Sequence, residues 1–353
     1  MYHRRRGKRM TKWYEETTDV DDVVISSRIR LARNLKNLRF AERMSKEESN
    51  VLFQAVKDCT ALLREKENTK YYYCQINKLA EIERTALVEW HIISPQLAKK
   101  QEKTGLLLSE DEDVSIMVNE EDHLRIQTVT GGMKMKQALA KADKIDDLLS
   151  SQMPFAYDGK FGYLTTCPTN TGTGLRASYM VFLPALTMTG KVERLSEEVR
   201  KYGITIRGIY GEGTKALGFI YQISNQKTLG SSEQEILENL AQILDQIIKL
   251  ERKYREYMLM VNKEEITDKV YRSYGILKYA KLLNTIDAMT LLSQVKLGMD
   301  TGLISLKGQT NFHQVMMEIQ PASIQRHYGK SIGNGDRDRV RAEYLNQRIP
   351  ELI

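Results

Sequence analysis

Proline and cysteine are scarce in this chain, and long apolar runs are missing. Six prolines in 353 residues, without any low-complexity stretch, argue against extended disorder. The three cysteines, Cys59, Cys74 and Cys167, include no CxxC pair. That count supplies neither a disulfide framework nor a zinc site, so a reducing, cytoplasmic setting is expected. No apolar run is long enough to span a bilayer. The opening MYHRRRGKRM is basic, but no apolar stretch follows, so it does not read as a secretory signal. Residues 1–20 are expected to form a loose tail.

What is present is an ordinary globular balance, 41% hydrophobic and 28% charged, on a chain long enough for two domains. The net charge of +7 would suit nucleic acid, a membrane surface or phosphorylated ligands. The basic residues are scattered rather than massed. Neither membrane nor direct nucleic-acid binding is therefore expected, and arginines converging on a polyphosphate are the sharper alternative.

Residues 45–66 read as a helix opened by a capping box of Ser45 and Glu48. Strands are expected at 71–76, 114–118, 124–129, 160–166, 178–183, 204–209 and 217–223, and a helix at 134–150. Ser232 and Glu235 form a second capping box before a long helix. Beyond about residue 262 only helical patterns remain, near 264–282, 285–297, 311–317 and 336–347. The expected architecture is α+β: a catalytic domain over 21–258 with a mostly antiparallel sheet flanked by helices, then an all-helical C-terminal domain over 259–353.

Four segments carry chemistry. In SSRIRLARN, Arg28 and Arg30 alternate along an extended stretch and share one face, with Arg33 following. Arginine stays charged at any relevant pH, so these side chains need anionic partners. A basic edge strand would also account for them. In NEEDHLR, Glu120, Glu121 and Asp122 crowd together, which invites a cation unless the turn is simply a solvated acidic surface. In TCPTNTGTGLRA, Gly172 and Gly174 permit close approach to a ligand, and Arg176 follows. This is no P-loop, and no histidine accompanies Cys167 to make it a nucleophile. In IRGIYGEG, Arg207 ends a strand and Glu212 lies between Gly211 and Gly213. Arginines for phosphates and carboxylates for a cationic acceptor together suggest phosphoryl transfer to a basic group.

In their order and types these segments resemble the phosphagen (ATP:guanido) kinase family, across roughly residues 20–255. The resemblance implies ATP and Mg²⁺ as cofactors, and no metal held by protein side chains alone. It implies nucleotide contacts from Ser27, Arg28, Ile29, Arg30, His91 and Arg125. Others would come from Arg176, Ala177, Ser178, Tyr179, Met180, Arg207, Gly208, Ile209, Tyr210 and Gly211. Glu121, Glu212 and Cys167 would grip the acceptor guanidinium, with Glu121 as the base. Many relatives carry histidine where Met180 stands.

Two departures point to the bacterial protein arginine kinase branch. The metabolite kinases place a helical domain ahead of the SSRxR segment, and here Ser26 stands near the start. They also lack a helical C-terminal extension. In that extension Arg337, Asp338, Arg341 and Ala342 resemble an RDxxRA element implying an allosteric phosphoarginine-binding site. A salt-bridged exposed helix would be the plain alternative. The resemblance implies protein substrates marked for a Clp ATPase, control of a stress-response repressor, an activator protein and a homodimer. A kinase for a free guanidino metabolite, or a phosphoarginine-binding regulatory module, are the competing readings.

Overall fold

The computed structural model describes residues 12–15, 20–209, 216–308 and 310–353. Its strands are β1 (Val24–Arg33), β2 (Tyr71–Gln75), β3 (Gly105–Ser109), β4 (Val114–Val118) and β5 (Leu124–Gly131), then β6 (Tyr157–Asp158), β7 (Gly162–Tyr163), β8 (Leu175–Phe182), β9 (Ile204–Gly208) and β10 (Ile220–Asn225). Eight of them form one sheet in the order β2-β3-β4-β5-β1-β8-β10-β9, and β6 pairs with β7. All neighbours are antiparallel, and β1 lies at the centre between β5 and β8.

The helices are α1 (Lys46–Glu67), α2 (Glu81–Glu89), α3 (Pro95–Lys99), α4 (Met135–Ser150), α5 (Pro184–Met188) and α6 (Val192–Arg200), then α7 (Glu233–Tyr279), α8 (Thr285–Asp300), α9 (Phe312–Glu318), α10 (Pro321–Tyr328) and α11 (Asn334–Arg348). Both capping boxes form. The Ser45 hydroxyl accepts the Glu48 N–H at 3.2 Å, and the Glu48 carboxylate accepts the Ser45 N–H at 2.8 Å. Ser232 and Glu235 do the same at the start of α7. That helix runs 47 residues with a kink at Asn262.

Side chains alternate across β1, and this decides everything that follows. Ile29 and Leu31 face α1, α4 and the first half of α7 in the main apolar core. Each such burial contributes about 1.5–3 kcal/mol. Arg28 and Arg30 project to the opposite face. A second core joins the sheet end, at Phe182 and Ile220, to the rest of α7 and to α8, α9 and α11.

Some elements differ from the sequence reading. The strand expected over 160–166 shrinks to Gly162–Tyr163, and the strand expected from 178 starts at Leu175. Within the expected loose tail, Trp13–Glu15 form a 3-10 turn and Trp13 is buried against Val129 and Met317. No helix among the described residues is long and apolar enough to cross a membrane.

Candidate active site

Register places the arginines of three central strands beside one another. Arg30 stands opposite Arg176 on β8 and Gln127 on β5, and Arg28 opposite Ser178 and Val129. Ala32 stands opposite Arg125, and Gln222 on β10 stands opposite Arg207. Cross-strand neighbours on one face touch, so five arginines converge on a single surface. That surface floors a cavity of about 360 Å³. The walls are the α2–α3 turn (His91, Ile93, Ser94), the acidic turn (Glu121), the Gly-rich loop (Cys167, Thr169, Gly174) and the end of β9 (Gly208, Ile209).

Arg28 and Arg30 are held by neutral groups. The Arg28 Nε donates to the Ser178 hydroxyl at 3.3 Å, and the Arg30 Nε donates to the Gln127 amide oxygen at 3.0 Å. Both partners are neutral, and among the described residues no carboxylate hydrogen-bonds to either arginine. Burial and the charges of Arg176 and Arg125 pull Arg28 down to about 9. Burial, then Arg28, Arg125 and Arg176, drives Arg30 well below its ordinary value, with Glu120 opposing. Burial, Arg28 and Arg30 pull His91 down to about 3, so its ring is neutral. His91 also adopts the left-handed backbone region, with φ of 58°, uncommon for a residue bearing a side chain.

The three acidic residues of the NEEDHLR turn do not act as one cluster. Glu120 is buried on Arg125 at 2.8 Å and accepts the Ser94 hydroxyl. Asp122 is buried and accepts from the Asn34 amide and the Thr166 N–H, both at 2.7 Å, which ties the turn to the Gly-rich loop. Glu121 alone faces the cleft, 3.2 Å from the Arg125 Nη2. Burial raises its pKa; Arg125 opposes this, Asp122 and Glu120 add to it, and a hydrogen bond with the Cys167 thiol opposes it. Glu121 and Cys167 are therefore neighbours. Cys167 also lies 3.0 Å from the Thr169 hydroxyl.

The side chains of the residues singled out in the sequence do not all point into the cleft. Ser27, Ile29, Ala177 and Tyr179 alternate away from the cleft and are buried on the core side. The Ser27 hydroxyl instead donates to the Gly132 carbonyl at 2.7 Å and accepts the Lys134 N–H at 2.9 Å, fastening the start of α4. Arg33 turns away too. It lies within 3.0 Å of Asp146, stacks on the Tyr163 ring at 3.5 Å and is 2% exposed. Gly172 and Gly174 approach their own protein closely, and Gly174 also lines the cleft. A Cβ at Gly172 would sit 2.5 Å from the Thr228 carbonyl oxygen, and one at Gly174 2.6 Å from Arg33. Both have positive φ. Met180 lines a small recess beside the cleft with Trp13, Ser178 and His91. Tyr210, Gly211 and Glu212 lie outside the described residues, and Ile209 before them lines the cleft. Among the described residues no group of three or more His, Cys, Asp or Glu side chains is placed to hold a metal.

On α11, Arg337 and Arg341 share a helix face but not an environment. Arg341 is 1% exposed and donates to the Ile319 and Leu283 carbonyls and to Asp338. Ala342 is buried in the second core, and Arg337 stays partly exposed. This helix carries Val340 and Leu345 inward, so Arg341 is buried beside the partly exposed Arg337.

Comparison with known proteins agrees with this geometry. A family model described as "ATP:guanido phosphotransferase, C-terminal catalytic domain" matches residues 52–254. A second, "Protein-arginine kinase McsB C-terminal domain", matches residues 263–352. The chain is 46% identical over 328 residues to the protein-arginine kinase of Caldanaerobacter subterraneus subsp. tengcongensis, covering 93% of this chain and 97% of that one. It is 42% identical over 338 residues to the protein-arginine kinase of Exiguobacterium sp., covering 96% and 95%. The crystal structure of lombricine kinase superposes with a TM-score of 0.59 at 25% identity over 67% of each chain. The duplicated taurocyamine kinase of Schistosoma mansoni superposes at 0.60 with 22% identity, over 90% of this chain and 48% of that one, a likeness of fold. The chain belongs to the ATP:guanido phosphotransferase family and, within it, to the protein-arginine kinases.

Proposed function

We propose that the chain transfers the γ-phosphoryl group of ATP to arginine side chains of proteins. One observation carries this reading: Arg28 and Arg30 lie side by side with neutral partners in a cleft that Glu121 and Cys167 share. Concentrated positive charge without a counter-ion is costly when buried, and a polyphosphate would offset that cost. The phosphates of ATP would lie among Arg28, Arg30, Arg125, Arg176 and Arg207. Ser178, His91, Met180, Gly208 and Ile209 would contact the rest of the nucleotide. Mg²⁺ would neutralise charge on the phosphate oxygens, and with no side-chain cage for it among the described residues, those oxygens and water would hold it.

The acceptor guanidinium is a weak nucleophile because its pKa is roughly 12.5–13.8. Glu121, which lines the cleft, would take the proton from the attacking nitrogen. As that nitrogen bonds to the γ-phosphorus, the bond from phosphorus to the bridging oxygen breaks and ADP leaves. The proton ends on the Glu121 carboxylate. Cys167, hydrogen-bonded to Glu121, would orient the guanidinium, and Glu212 would grip its far edge by resemblance. Holding the two reactants in line can supply several kcal/mol, on the order of 7–11 at best.

Protein rather than free arginine as the acceptor is supported by the C-terminal match and by the relatives' names. Marking for a Clp ATPase, repressor control, an activator, a homodimer and a regulatory phosphoarginine site of Arg337, Asp338, Arg341 and Ala342 rest on family resemblance. Labelled ATP offered with free arginine or with an unstructured arginine-rich protein tests the acceptor. Label should enter the protein, and Glu121→Gln should abolish transfer while ADP still binds. Transfer to free arginine alone would contradict the reading.

A further inference from the structure

Besides its apolar contacts at Ile209 and Met180, the helical C-terminal region meets the cleft wall at a buried carboxylate. Glu89 ends α2, is 5% exposed and is ringed by donors from α10. The N–H groups of Ala322 and Ser323 donate to its two oxygens at 2.8 and 2.7 Å, and the Ser323 hydroxyl donates at 2.7 Å. The next residue, Trp90, donates its indole N–H to the same Ser323 oxygen at 3.0 Å. A carboxylate at the first turn of a helix completes orphaned backbone donors and meets the positive end of the dipole. The positive charge of Arg341 on α11 also acts on this carboxylate.

From this clamp a hydrogen-bonded path runs into the cleft. His91 follows Trp90 in its left-handed conformation, and its carbonyl accepts the Gln127 amide N–H at 2.9 Å. The other end of that amide accepts the Arg30 Nε at 3.0 Å. Among the described residues no carboxylate hydrogen-bonds to Arg30, so the orientation of Gln127 sets its guanidinium. Gln127 is in turn held by the His91 carbonyl and the Ser115 hydroxyl at 3.1 Å.

We propose that Glu89 is a positioning residue for nucleotide binding: by clamping α10 to the Trp90–His91 turn it fixes Gln127, and through Gln127 the guanidinium of Arg30. The C-terminal region thereby holds the phosphate-binding floor in place without touching nucleotide. This rests on the nucleotide reading of the cleft, not on any role for Arg337.

The test is a double-mutant cycle on ADP affinity, measured by calorimetry on the full chain. Glu89→Gln keeps the size but replaces one accepting oxygen by a donor that opposes the α10 N–H groups. Gln127→Leu cuts the path at its last link. Each single variant should weaken ADP binding by roughly 5-fold or more, the scale of coupling between linked sites. The double variant should be no weaker than the worse single, because both break one path. Glu89→Asp should restore part of the affinity. If Glu89→Gln fails to fold, Ser323→Ala, which removes only the hydroxyl between Trp90 and Glu89, takes its place in the cycle. A Glu89 variant that melts earlier but binds ADP like wild type, or losses that simply add, would overturn the proposal. Wild-type protein that binds no ADP would instead overturn the nucleotide reading.

Discussion

Arg30 and Arg33 leave the same strand three residues apart and meet opposite electrostatic surroundings. Arg33 projects into the core side, where Asp146, two carbonyls and the Tyr163 ring use its donors. Arg30 projects into the cleft, where one neutral amide holds it among other arginines. Arg341 on α11 repeats the first pattern, closed by two carbonyls and Asp338. A buried arginine saturated by its own protein is a structural tie. One left without an anion is a site, because desolvating the charge is offset only when a ligand supplies the missing partner.

This contrast can be broken most visibly at Arg30. Arg30→Ala should lower kcat/KM by about 10³ or more, the scale of an arginine that stabilises phosphoryl transfer. Its melting temperature should hold or rise, since mutual repulsion is relieved. A fall in Tm with normal turnover would erase the distinction. Arg33→Met should do the reverse. Stranding Asp146 as an unpaired buried charge costs about 3–5 kcal/mol, read by denaturant unfolding, while ADP affinity of the folded fraction stays unchanged. Next in size, ADP at a hundredfold excess over its Kd should stabilise wild type by about 2.7 kcal/mol in a melt. Arg30→Ala should lose much of that gain, and Arg33→Met should keep it.

The smallest effect concerns pH. Burial above all, helped by Asp122 and Glu120 against Arg125, holds the Glu121 carboxyl above the ordinary glutamate value. A base must be ionised, so transfer should fall as pH drops through that raised value, at higher pH than for a glutamate in water. Glu120→Gln removes one like charge and should move the acid limb of the pH–rate profile downward by about one unit or less. A limb that moves upward would remove Glu121 from the base role.

The sequence showed the cleft face better than its counterpart. Alternation in SSRIR put Arg28 and Arg30 on one face, as found. The same rule sends the side chains of Ser27, Ile29, Ala177 and Tyr179 to the core, so a contiguous motif does not put every side chain in the cleft. The capping boxes at Ser45 and Ser232 were legible because their partners are three residues away. The partners of Arg33, Glu89 and Arg341 were not, since Asp146, Ser323 and Ile319 are remote in sequence. Charge alone does not tell a paired arginine from an unpaired one. The turn at Trp13 was hidden for a related reason: a single aromatic in a basic stretch has no periodicity, and the surfaces that cover it come from β5 and α9.

The most direct measurement is the phosphorus NMR spectrum of the full chain with Mg²⁺, ATP and an unstructured arginine-rich protein, kept above neutral pH. A phosphoramidate signal growing as the γ-phosphate signal fades, and vanishing on acidification, is what this account predicts. Growth of inorganic phosphate alone, or an unchanged ATP spectrum from protein that binds ADP, would contradict it.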